Sequence, residues 1–182
     1  METYLRFLLF ISISLFFGCK KNKPAINQLP PETQTGAGTF GCLVNGGVFK
    51  PKGSPFGGSI KSCAYQRIND GYYFQLSAKN SGDILTSVSI HTDSLPIEEN
   101  KIYILENFFE KQTASGRYFI SNNSNMTFTE YLTTSSITGE LKITKFDETQ
   151  RIVSGTFWFD AVNDKGEKVQ VREGRFDMNY TL

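Results

Sequence analysis

The sequence predicts an all-β protein of antiparallel strands, and three observations predict it. Apolar residues alternate with period two: Ile84, Thr86, Val88 and Ile90 share one face of a segment, and Phe176, Met178, Tyr180 and Leu182 share one face of another. Turn signals such as Asn45-Gly46, Asn69-Asp70-Gly71, Asn80-Ser81-Gly82 and Asn163-Asp164-Lys165-Gly166 separate such runs at short intervals. Aromatic residues make up 14% of the chain, which leans it toward strand, and helical spacing is absent outside a turn around Asn107 to Gln112. Without helical crossovers the strands must close on one another. An antiparallel β-sandwich is expected, because Pro51 to Gly58 and Thr92 to Asn100 read as the longer connections that carry a chain between two sheets. The alternative is a closed, calycin-like β-barrel, which would use tight turns nearly throughout.

The elements follow in order. Arg6 precedes the uncharged run Phe7 to Phe17, and Lys20 and Lys21 stop it well short of the roughly 20 apolar residues that span a bilayer. Residues 1–18 therefore read as a signal peptide. Leu15-Phe16-Phe17-Gly18-Cys19, with Phe16 where leucine is usual, resembles a bacterial lipobox. That resemblance implies cleavage after Gly18 and acylation of Cys19, which would be the partner contact with the membrane. Lys20 after the cysteine resembles lipoproteins passed on to the outer membrane. Lys20-Lys21-Asn22-Lys23 lacks the acidic cluster of surface-exported Bacteroidota lipoproteins, which favours the periplasmic side over the cell surface.

Residues 19–39 carry Pro24, Pro30 and Pro31 with few apolar side chains, and read as a flexible tether of some tens of ångströms. Gly36-Ala37-Gly38-Thr39-Phe40-Gly41 matches G-x-G-x-x-G in letters only. No buried strand precedes it and a hairpin follows, so no nucleotide site is expected and the glycines read as a flexible joint. Residues 40–182 form a single β domain, long enough to bury about two-thirds of its unfolded surface. Its strands are expected near 39–44, 47–50, 61–67, 72–78, 84–91, 101–106, 117–121, 127–132, 138–144, 151–160, 167–172 and 175–182. A transmembrane barrel is not expected, since its strands would need about 9 to 11 residues.

Chemistry is constrained mainly by what is missing. The net charge of +1 offers nothing to a polyanion, so nucleic acid is not an expected partner. His91 is the single histidine, which excludes multi-histidine zinc sites and leaves one imidazole for any triad. Neither G-x-S-x-G nor S-x-x-K occurs. No catalytic residue, cofactor or metal is expected. Glu98-Glu99, Asp147-Glu148 and Asp160 with Asp164 lie in turn regions where solvated charge is the default, and Asp160, Asn163, Asp164 and Glu167 bracket one hairpin without calcium-loop spacing. Cys42 and Cys63 form an even pair in an oxidising compartment, so they read either as a disulfide closing a loop of about 20 residues or as two buried thiols.

Aromatics remain as the material of a binding surface. Tyr65, Tyr72, Tyr73, Phe108, Phe109, Tyr118, Phe128, Tyr131 and Trp158 supply stacking planes, most of them expected in the core. Phe108-Phe109 in a loop region is least easily explained by strand packing, and Asn122, Asn123 and Asn125 form a polar loop suited to hydrogen bonding. These five residues are the expected binding surface.

Residues Leu29 to Gly36 and Thr39-Phe40-Gly41-Cys42-Leu43-Val44-Asn45-Gly46, together with Val153-Ser154-Gly155-Thr156-Phe157 and Glu173-Gly174-Arg175-Phe176-Asp177, are similar to an uncharacterised family of Bacteroidota lipoproteins. The resemblance implies a β-rich envelope domain with no assigned activity. The expectation is a non-enzymatic lipoprotein that binds an envelope protein or glycan, the alternative being a carrier of a small apolar ligand inside a barrel.

Overall fold

The computed structural model describes residues 25–53, 58–82, 84–122 and 125–182. The signal peptide, Cys19 and Asn123 lie outside the described residues. A 3₁₀ turn (Ala25–Gln28) precedes eleven strands: β1 (Thr39–Val44), β2 (Gly47–Phe49), β3 (Lys61–Ile68), β4 (Gly71–Ser81), β5 (Leu85–Asp93), β6 (Ile102–Leu105), β7 (Thr113–Asn122), β8 (Thr127–Leu132), β9 (Gly139–Asp147), β10 (Ile152–Val162) and β11 (Lys168–Asn179). Asn45 and Gly46 take φ of 48° and 79°, the two positive values that a type I′ hairpin requires.

The all-β class holds. The strands stand in the order β2-β1-β11-β10-β9-β6-β7-β5-β4-β3, and β8 joins β7 to β10. Beyond β11, Thr181 accepts from the amide of Tyr65 and donates to the carbonyl of Cys63, which brings β3 back to the end of β11. The strands thus join in one continuous ring, consistent with the expected sandwich or with its barrel alternative. Its ladders between named strands are antiparallel except at Leu105 and Ala114, where β6 meets β7 in parallel.

The inward face of each strand fills the ring. Phe74, Leu76, Val88, Ile90, Leu141, Ile143, Val153, Phe159 and Val171 are buried to within 1%. The rings of Phe74, Phe157, Phe159 and Phe176 pack at centroid distances of 6.2 to 6.4 Å. The expected face of Phe176, Met178 and Tyr180 is buried, whereas Leu182 and Ile84 lie exposed beyond the strands' ends.

The sequence breaks β11 into two segments because its apolar phase shifts: Val169 and Val171 face inward, then Gly174, Phe176 and Met178 do. The strand nevertheless runs through. Glu173 adopts φ 54° and the register with β10 shifts between Phe157 and Phe159, so a bulge absorbs the extra residue. Gly174 fits beneath Phe157, whose ring a Cβ would overlap.

The folded unit also begins earlier than its composition predicts. Leu29 is buried, Pro30 packs on Gly41, and the chain to Gly38 lies as a strap across the outer face of β1, β11, β10 and β9. The flexible tether expected over 19–39 is therefore overturned for residues 29–38, because one buried carboxylate on β11 holds them.

Candidate functional site

That carboxylate is Asp177. It accepts from Thr33 Oγ1 (2.7 Å), the amides of Thr35 (3.0 Å), Gly36 (2.7 Å) and Ala37 (3.1 Å), and Ser154 Oγ (2.8 Å). Burial alone would raise its pKa, but the bonds from Thr33, Ala37, Thr35 and Ser154 outweigh it and hold the carboxyl well below the usual range. Three successive amides can converge on one anion because Gly36 takes φ 71°, a conformation open to glycine at little cost. The G-x-G-x-x-G glycines are thus not a flexible joint. Gly36 shapes a cradle for the protein's own aspartate, and Gly41 lies in β1 against Pro30.

The strap borders a surface cleft of about 500 Å³ on the outer face of β6, β9, β10 and β11. Two cross-strand rows build its floor. Ile104, Glu140 and Trp158 form one, and Ile102, Lys142, Thr156 and Arg175 the other. The β11 bulge brings Arg172, Glu173 and Arg175 to the same rim. Trp158 is held on two sides, since Arg172 stacks over the indole at 5.3 Å and Trp158 Nε1 donates to Glu140 at 3.3 Å. Arg172 is itself fixed by Asp160 at 2.6 Å and by the carbonyl of Phe159. Arg175, only 15% exposed at its side chain, lies between Glu173 and the strap's Glu32. The indole keeps 37% of its surface open, and Ile102 and Ile104 are half-exposed beside it. An aromatic plane among rigid donors and acceptors results.

A second patch lies on the outer face of β4, β5 and β7. Phe108 meets His91 edge-on at 4.3 Å and Phe109 at 5.0 Å, and Phe109 is 83% exposed. Ser115 Oγ lies 3.1 Å from His91 Nε2. Burial lowers the pKa of His91, against the raising effects of its bond with the Phe108 backbone and of Asp93. Tyr73, Gln75, Ser89 and Arg117 complete a groove of about 290 Å³ with His91 and Phe108.

A scan against protein families matches residues 64–178 to a domain of unknown function, DUF6252. The chain belongs to that family. The matched region runs from β3 through the bulge of β11, so it contains Asp177 and most of the cleft, while the strap, β1 and β2 lie outside it. No curated protein and no solved structure matches.

The expected binding surface does not assemble as one. Phe108 packs on His91 opposite Ser115, near the start of β7, and Asn122 stands at its far end, roughly 20 Å away along the strand. Asn125 Oδ1 accepts from the amide and hydroxyl of Thr127, which closes the β7–β8 hairpin. Cys42 and Cys63 are unpaired, buried thiols, so the bridged alternative is not realised. Burial raises both, Cys63 to about 12.

Several of the expected turn carboxylates have structural partners, and Asp160 lies within β10 rather than in a turn, paired with Arg172. Glu98 pairs with Lys101, Glu99 accepts from the amide of Phe146, Asp147 from those of Thr149 and Gln150, and Asn163 binds Glu167 and caps its own turn. Among the described residues no group of three or more His, Cys, Asp or Glu converges as a metal site would. Sequence reasoning placed Trp158 among candidate stacking planes but missed its cleft and Asp177. The phase break at Glu173-Gly174 was the signal available for both the bulge and the rim it forms.

Proposed function

We propose that the protein is a non-enzymatic, lipid-anchored module of the outer membrane that binds an envelope saccharide in the Trp158 cleft. The observation that carries this reading is the indole held between Arg172 and Glu140 with an open face. A sugar ring presents an apolar face to stack and hydroxyls at its edge, and Glu140, Lys142, Glu173 and Arg175 stand where such hydroxyls would fall. Glu173 pairs with Arg175, and Glu140 accepts from Trp158 Nε1, so these groups are held in place before a ligand arrives, which lowers the ordering cost of binding. The test is a glycan array followed by calorimetric titration of the best ligand. Trp158→Ala should weaken that ligand about fivefold to a hundredfold, in line with about 1 to 3 kcal/mol for a stacked aromatic contact. A blank array, or equal binding by the variant, would overturn the reading.

A second reading, a protein partner, draws on Phe109 at 83% exposure. Exposed aromatics rimmed by polar groups suit a protein contact. Envelope pull-downs that lose a captured protein on Phe109→Ser, but keep it on Trp158→Ala, would favour this patch. The carrier alternative has no comparable support, because phenylalanine rings fill the interior.

The address rests on the lipobox resemblance and on Lys20, with the periplasmic side preferred. Intact mass of the mature chain should equal residues 19–182 plus acyl groups; an unmodified chain retaining Met1 would remove the anchor from the reading.

A further inference from the structure

We infer that the lysines around the strap's entry form a docking surface for an anionic phospholipid leaflet, so that the domain sits on the membrane rather than hanging from it. The inference rests on the anchor reading above. Since the strap is bound from Leu29 onward, little chain remains between anchor and fold. Cys19 and Ala25 are six residues apart, which spans at most about 20 Å even fully extended. The surface at that point must therefore lie close to the leaflet.

That surface is basic. Lys50 and Lys61 line a groove of about 340 Å³ with Gln28, Leu29, Pro30 and Pro51, and none of its lining residues is acidic. Lys61 Nζ donates to the carbonyl of Gly38 at the strap's end. Lys52 and Lys79 lie alongside, tied by the bonds Lys52 N to Lys79 O and Lys79 N to Ile60 O. Among the described residues, none of these four lysines forms an ion pair, in contrast to Lys101, Lys145, Arg172 and Arg175. Lys50 and Lys52 are exposed, and Ile26 beside the entry is 42% exposed. The nearby strap carboxylate, Glu32, is turned toward Arg175. Unpaired lysines within about a Debye length of anionic headgroups are attracted to them, and the short lead from the anchor lets them reach that distance, where the attraction holds the surface against the leaflet.

The experiment uses the acylated full-length protein in phosphatidylcholine vesicles with and without phosphatidylglycerol, carrying an environment-sensitive dye at Lys52→Cys or, as control, at Phe109→Cys. The dye at position 52 should respond severalfold more strongly with phosphatidylglycerol, lose that response in high salt, and lose it in a Lys50→Glu/Lys79→Glu background of unchanged melting temperature. The dye at 109 should not respond. Equal response at 52 in both vesicles, or a response at 109 instead, would overturn the docking surface. Intact mass separates the two readings. If Cys19 carries no acyl group, the anchor fails on its own. The unacylated chain is then floated with phosphatidylglycerol vesicles, where an at least tenfold loss on Lys50→Glu/Lys52→Glu/Lys79→Glu sustains the lysine surface and absence of binding removes it.

Discussion

At the scale of single residues, Asp177 is where chemistry and architecture meet. A carboxylate fully removed from solvent persists because Thr33, Thr35, Gly36, Ala37 and Ser154 donate to it. Asp177→Asn keeps the shape but turns an amide group toward these donors, and should cost about 1 to 3 kcal/mol in thermal or urea unfolding. The pH dependence has a definite sign. Because the folded pKa lies below the ordinary value near 3.9, the stabilisation is fully present above that value and is lost as pH falls through the folded value. Melting temperature should therefore fall more steeply below about pH 4 for the native chain than for Asp177→Asn; parallel curves would contradict it.

Cys42 and Cys63 invite a second residue-scale prediction. Burial raises both thiols, so neither should react with a thiol reagent at neutral pH in the folded protein, and both should react once it is unfolded without reductant. Recovery of no thiols on unfolding would contradict two free cysteines. Nothing in the sequence decides between bridge and thiols, because spacing along the chain does not report distance in space.

At the scale of elements, the bulge of β11 does most to shape the outer face. By shifting the inward phase from Val171 to Gly174 it keeps both halves of the strand packed, and it sends Arg172, Glu173 and Arg175 toward Trp158. Gly174→Ala should disturb this arrangement, because the added methyl meets the Phe157 ring. A loss of about 1 to 3 kcal/mol in stability is expected, together with a shift in Trp158 fluorescence. The strap is the second such element. A chain starting at Thr39 leaves Asp177 without its strap donors, whereas one starting at Ala25 keeps them all. The shorter chain should melt several degrees lower by differential scanning calorimetry.

Legibility in the sequence divides along the same line. The hairpin at Asn45-Gly46 and the strand faces of Val88 with Ile90 and Phe176 with Met178 were readable, because turn chemistry and period-two burial act over a few residues. The strap was misread. Residues 29–38 have the composition of a linker, and what orders them is a carboxylate 140 to 144 positions away in the chain. The expected surface of Phe108, Phe109, Asn122 and Asn125 failed for a related reason. Proximity in sequence became opposite ends of β7 once that segment extended into a ten-residue strand.

At the scale of the whole molecule, the ring turns one set of side chains into a packed centre and the alternate set into the outer surface. The cleft lies on one face and the aromatic patch on another, while the basic entry of the strap sets the end proposed to approach the membrane. The sequence by itself determined the all-β class and the identity of most strands, since alternation and turn residues are local properties that survive any arrangement of the strands. It also carries the lipobox resemblance on which the proposed address depends. Only the tertiary structure decided that the strands join in one ring, that a bulge gathers charged groups around Trp158, and that the strap is locked to Asp177. Each of those depends on contacts between residues far apart in the chain, whose free energy exists only after the strands have found their register.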